Sequence, residues 1–233
     1  LAGAQAPHIY SQHDWAYYGG SADGDHFSPL TQIDSRNVAQ LKQVWRFDTE
    51  AGGLQGTPLM VNGILYAPTP EQGVVALDPE NGKLLWRFTP ADAAAQPVRG
   101  LTYWSEGRES VLFSSYGTKL VALDPRTGSP VAGFGDQGTV DLRDGLGRDP
   151  LQAPAFLTTP GNIYQDTIIV GFRTNETRPA APGAIRAYDV RTGKLRWKFD
   201  TIPRPDTPGS ETWAPGGLNG AGGANNWAGM VVD

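Results

Sequence analysis

Three stretches, Ala76-Leu77-Asp78-Pro79-Glu80-Asn81-Gly82, Ala122-Leu123-Asp124-Pro125-Arg126-Thr127-Gly128 and Ala187-Tyr188-Asp189-Val190-Arg191-Thr192-Gly193, share one spelling and decide the fold. Each reads as strand, tight turn, strand. The Asp carboxylate can accept hydrogen bonds from turn N–H groups, and the Gly four residues later takes the positive φ that returns the chain antiparallel. After the first and third turns the next strand closes on Trp86-Arg87-Phe88 and Trp197-Lys198-Phe199, a triplet that stands earlier as Trp45-Arg46-Phe47. The second turn runs through Pro130, Val131 and Ala132 to Phe134, so that unit keeps its turn and loses its Trp.

Asp78 and Asp124 lie 46 residues apart, and Asp124 and Asp189 lie 65 apart. That spacing fits a four-stranded propeller blade with one long insertion. Strands are expected over 63–67 and 74–77, 111–115 and 120–123, and 167–172 and 185–188, before the three turns. Residues 1–44 read as a lead-in with one short helix over Ile33 to Leu41, capped by Asp34 or Ser35. Residues 45–233 read as a partial β-propeller whose units end near Phe88, Phe134 and Phe199. Residues 200–226 form a Pro-, Gly- and Asn-rich excursion, and a further strand is expected from about Trp227. The class is therefore all-β: about three to four four-stranded antiparallel blades, an incomplete ring whose exposed faces call for the remaining blades.

Composition agrees. Thirty Gly and 19 Pro with only 18% charged residues point to many tight turns between short strands. The net charge of −5 argues against a general grip on nucleic acid or an anionic membrane, both of which need a basic face. With no Cys, disulfides, thiolate metal sites and cysteine nucleophiles are excluded within these residues. No run approaches the ~18 apolar residues of a spanning helix. Ala4-Gln5-Ala6 has the small-x-small form found before signal cleavage sites. His8, His13 and His26 have no metal-ligand spacing and read as surface or packing residues. The repeated Trp45, Trp86 and Trp197 read as core between blades.

The lead-in Asp14-Trp15-Ala16-Tyr17-Tyr18-Gly19-Gly20, followed by His26-Phe27-Ser28-Pro29-Leu30, resembles the opening of the pyrroloquinoline quinone (PQQ) dehydrogenases. Gln55-Gly56-Thr57-Pro58-Leu59, Arg99-Gly100-Leu101-Thr102-Tyr103-Trp104, Gly133-Phe134-Gly135-Asp136-Gln137-Gly138 and Gly222-Gly223-Ala224-Asn225-Asn226-Trp227 are similar to segments of that family, in its order. The resemblance implies an eight-bladed propeller holding PQQ and one Ca²⁺ near its axis. It further implies oxidation of a sugar, polyol or alcohol hydroxyl, with electrons passed to a quinone or cytochrome.

Carried over by position, Gln55 matches a cofactor contact that is usually Glu. Arg99 matches the family arginine whose cationic fork suits a tricarboxylic quinone. Trp227 matches the tryptophan under the planar cofactor, Asn225 stands where a relative has a cofactor-binding Thr, and Thr159 is a further polar contact. Glu176 corresponds to the Ca²⁺-binding Glu, a hard oxygen donor. The family's catalytic Asp and Ca²⁺-binding Asn belong to later blades, so no catalytic residue is expected here and the isolated chain should not turn over. The alcohol-oxidising branch carries a vicinal Cys-Cys where this sequence has Ala93 to Val98, which favours the glucose or quinate type over methanol dehydrogenase. The family location is periplasmic, with membrane attachment through other segments. The rival expectation is a non-enzymatic propeller that keeps the turns as a scaffold for protein partners and loses the axial residues.

Overall fold

The computed structural model describes residues 14–50, 52–94, 96–147, 149 and 154–232. The signal-like Ala4-Gln5-Ala6, His8 and His13 lie outside them. Twelve named strands form three four-stranded antiparallel sheets, each ordered as in the sequence. Blade 1 comprises β1 (Leu59–Val61), β2 (Ile64–Pro68), β3 (Val74–Leu77) and β4 (Leu84–Phe88). Blade 2 comprises β5 (Thr102–Glu106), β6 (Glu109–Tyr116), β7 (Lys119–Leu123) and β8 (Thr139–Asp141). Blade 3 comprises β9 (Asn162–Tyr164), β10 (Thr167–Val170), β11 (Ile185–Asp189) and β12 (Leu195–Phe199).

The three turns fold as their spelling demands. The amides of Gly82, Gly128 and Gly193 donate to the carbonyls of Asp78, Asp124 and Asp189 at 2.8, 2.8 and 2.9 Å. Each Asp Oδ1 accepts from the amide two residues on, at 2.9, 2.8 and 3.1 Å. The glycines take φ of 73°, 72° and 69°, which a side chain would resist.

Both faces of blade 2 are buried, and period-2 alternation sorts its side chains between two cores. Leu112, Val121 and Leu123 pack with Leu59, Val61 and Tyr66 of blade 1. Their chain neighbours Phe113, Leu120 and Ala122 pack with Ile168, Val170 and Tyr188 of blade 3. The first strand of each blade is innermost, with β5 against β9, whereas β4 and β12 are largely exposed.

Four expectations are corrected. The helix over 33–41 shrinks to one 3-10 turn, Val38–Gln40, capped by neither Asp34 nor Ser35. Asp34 instead accepts from Arg36 N at 2.8 Å, a local bond that competes with helix, and Ile33, Val38 and Leu41 stay exposed, leaving no buried face to hold one. No strand starts at Trp227: residues 227–232 find no ladder partner among the described residues. The outer strand of blade 2 lies beyond Phe134, at β8. Finally, the triplet tryptophans are core only in part: Trp86 is half-buried and packs against the core between blades 1 and 2, Trp45 is half-buried, and Trp197 is 45% exposed.

Their position explains the triplet. Trp86 ends blade 1 and lies on the turn of blade 2, its Nε1 donating to Pro125 O at 2.9 Å. A Cβ on Gly128 would fall 2.4 Å from its ring. Trp45 repeats the arrangement one blade earlier, with Nε1 donating to Pro79 O at 2.8 Å and its ring against Gly82. Where blade 2 lacks its Trp, Phe134 is fully buried against Phe113, and the Gly135 amide takes the third turn directly, donating to Thr192 O at 2.9 Å.

Candidate functional site

The segment that precedes each innermost strand carries the residues singled out above. A ladder of bonds joins these segments at the inner edge of the blades. Thr57 N donates to Arg99 O at 2.9 Å, Arg99 N donates to Thr158 O at 2.9 Å, and the Thr159 hydroxyl donates to Trp227 O. Arg99, Thr159 and Trp227, 128 residues apart from first to last, are thereby brought onto one belt, and Gln55 lies two residues before its first rung, Thr57. Thr57-Pro58 and Thr159-Pro160 recur in these lead-ins, a signal that could have marked the belt from the sequence.

Arg99 sits over the indole of Trp227, 5.6 Å from guanidinium carbon to ring centre. The indole is 53% exposed. An open aromatic platform beside a fixed fork of N–H donors fits a planar ligand that bears carboxylates.

The other expected contacts have more structural work. Thr159 is 6% exposed and spends its hydroxyl hydrogen on the Trp227 carbonyl, so it positions the indole. Asn225 donates from Nδ2 to Phe172 O at 2.9 Å, which ties the Trp227 segment to the end of β10. Gly171 lets this approach happen, since a Cβ there would lie 2.3 Å from Asn226 O. Gln55 is exposed at the start of the belt. Glu176 is exposed in the loop that leaves β10. Among the described residues no group of three His, Asp or Glu side chains is arranged to hold a metal.

Two residues of this region escaped the sequence reading. Gln72, buried and at φ 60° in the β2–β3 turn, accepts from Ala94 N at 2.7 Å and Gly117 N at 2.9 Å, and donates to Gln96 O at 3.2 Å. It ties the β2–β3 turn to Ala94, Gln96 and Gly117. Arg173 donates from Nη1 to Gln96 Oε1 at 2.6 Å. Neither stands in a repeat or motif. A cavity of about 310 Å³ adjoins the belt at Thr159, walled by the lead-in, β5 and β9. Tyr17 lines it, and burial pushes that hydroxyl above its ordinary pKa.

The β-propeller domain described as PQQ glucose/ethanol/alcohol dehydrogenase matches residues 15–233. Quinate/shikimate dehydrogenase (quinone) of Acinetobacter baylyi is 34% identical, with 95% of this chain and 31% of that protein covered. The dehydrogenase subunit of alcohol dehydrogenase (quinone) of Gluconobacter oxydans is 33% identical, covering 94% and 31%. The solved structure of quinohemoprotein alcohol dehydrogenase ADHIIG from Pseudomonas putida HK5 superposes with a TM-score of 0.70 at 26% identity, over 86% of this chain and 29% of that one. The chain thus spans about 31% of the length of the curated relatives it matches.

Proposed function

This chain belongs to the PQQ-dependent glucose/ethanol/alcohol dehydrogenase β-propeller family, and from that premise we propose that it forms the N-terminal part of a periplasmic PQQ- and Ca²⁺-dependent dehydrogenase. The substrate is a sugar, polyol or alcohol hydroxyl, and the acceptor a quinone or cytochrome. The names of its relatives span quinate, alcohols, glucose and glycerol. The observation that carries the reading is Arg99 over Trp227 on the belt: a passive scaffold has no use for a cation and an open indole held together at the blade axis.

In this reading Trp227 stacks the quinone ring, Arg99 binds its carboxylates, and Thr159 keeps the indole in place. Gln55 supplies a neutral hydrogen-bonding group at the rim, and Glu176 one oxygen to Ca²⁺. Bound PQQ would supply an electrophilic carbonyl that accepts a hydride, and with it both electrons, from the carbinol carbon, with Ca²⁺ as Lewis acid. The belt's part is orientation: it presents a fixed flat surface with a cation at its edge, so little ordering remains to be done on binding.

The test is reconstitution of the full-length protein with PQQ and Ca²⁺, followed by dye reduction with polyols and hydroxy acids. Saturable PQQ binding and substrate-dependent reduction are expected, with no turnover from residues 1–233 alone. Absence of PQQ binding by the full-length protein overturns the reading.

A further inference from the structure

Most arginines here are matched to a carboxylate, as Arg87 is to Glu50, Arg143 to Asp141 and Arg196 to Asp189. Arg173 is not: its guanidinium has one partner among the described residues, the neutral Gln96 amide. Glu176, three residues on, makes no ion pair with it. An exposed cation with an amide for its only partner costs little in water, but it leaves most of the fork's donors unassigned.

Its surroundings place that fork at the belt. The backbone of Arg173 pairs with Phe156 through bonds of 2.8 and 3.0 Å, on the segment that runs on to Thr158 and Thr159. Its chain neighbour Phe172 accepts from Asn225 Nδ2. Gln96 lies three residues before Arg99 and is itself held by buried Gln72. With Nη1 taken by Gln96, the Nε–Nη2 edge remains, and that edge is the one that grips a carboxylate through two parallel hydrogen bonds.

We propose that Arg173 is a carboxylate-binding residue of the belt site, a second cation in addition to Arg99, serving to hold the carboxylate of a polyhydroxy acid substrate or one carboxylate of the cofactor. The proposal rests on the dehydrogenase reading and narrows its substrate class. A neutral alcohol needs no such residue, whereas a carboxylate is desolvated at the mouth of a site only when a cation meets it.

The test uses the full-length protein with Arg173→Gln and Arg173→Lys. If the carboxylate is the substrate's, Arg173→Gln raises KM for quinate at least tenfold, leaves KM for glycerol and PQQ affinity within twofold, and Arg173→Lys restores part of the loss. If it is the cofactor's, Arg173→Gln raises the PQQ dissociation constant at least tenfold in a tryptophan-quenching titration. The proposal is overturned if both quantities stay within twofold, or if only the melting temperature changes. Should the wild-type protein take no PQQ, the dehydrogenase reading fails by itself. Calorimetric titration with quinate then decides Arg173: weakened binding in Arg173→Gln supports it, and unchanged or absent binding overturns it.

Discussion

The guanidinium of Arg99 lies on the indole of Trp227, 5.6 Å from its centre, although 128 residues separate them in the chain. The contact is exposed and worth about 0.5–1 kcal/mol by itself. Trp227→Ala is therefore expected to leave the melting temperature nearly unchanged while lowering PQQ affinity at least tenfold. Arg99→Lys, which keeps the charge and loses the fork, should fall between wild type and Arg99→Gln. Fluorescence and absorbance titrations of the full-length protein measure both.

The Thr159 hydroxyl holds the backbone of Trp227 by donating to its carbonyl. Thr159→Val is close in shape but leaves a carbonyl without its donor, a cost of about 1–2 kcal/mol. The expected outcome is several-fold weaker PQQ binding in the same titration, with Thr159→Ser restoring it.

Trp86 closes blade 1 on the turn of blade 2 through Pro125 O and Gly128. Trp86→Ala is expected to cost about 3 kcal/mol, the low end for a large aromatic because the ring is half-buried. Gly128→Ala is disfavoured twice, by φ 72° and by the indole 2.4 Å from the new Cβ. Denaturant midpoints should show the two losses to be non-additive, because the substitutions damage one contact.

Burial opposes the charge of Asp189, but hydrogen bonds from Arg196, Thr192 and the turn backbone win and hold its carboxyl at about 2, below the ordinary 3.8. A carboxyl depressed in the folded state stabilises fully above its ordinary value, and that contribution is lost as pH falls through about 2. Stability should therefore decline between about pH 4 and pH 2. Asp189→Asn should be less stable at pH 7 and show a shallower decline. Unfolding midpoints across that window check both.

Gln72 is a buried amide with three backbone partners. Gln72→Leu strands two N–H groups and one carbonyl, at a cost of about 1–3 kcal/mol for each group left without water. The expected sign is a lowered melting temperature together with faster amide hydrogen exchange at Ala94 and Gly117, which a general loss of packing would not localise.

The blades were legible because their defining bonds are short-range. Asp78, Asp124 and Asp189 bond within their own turns, so seven residues suffice to specify each hairpin, and β3, β7 and β11 end where the spelling says. The helix over 33–41 was misread because its pattern lacked what a nine-residue helix needs, a packed face. The triplet tryptophans read as core between blades, but whether they lie in the core or on the next blade's turn depends on which strand is outermost. Trp227 and Arg99 were found through family resemblance. Their mutual contact was not, since nothing local to either residue refers to the other.

The sequence by itself determined the repeating unit, its period and the antiparallel turns, because Asp-to-amide bonds and glycine φ are properties of a few adjacent residues. Only the tertiary structure decided that Thr57, Arg99, Thr158 and Trp227 form one belt, that Thr159 bonds the Trp227 carbonyl, and that Gln72 and Arg173 both meet Gln96. Those bonds join residues 22 to 77 positions apart, and they require the segments of successive blades to lie side by side.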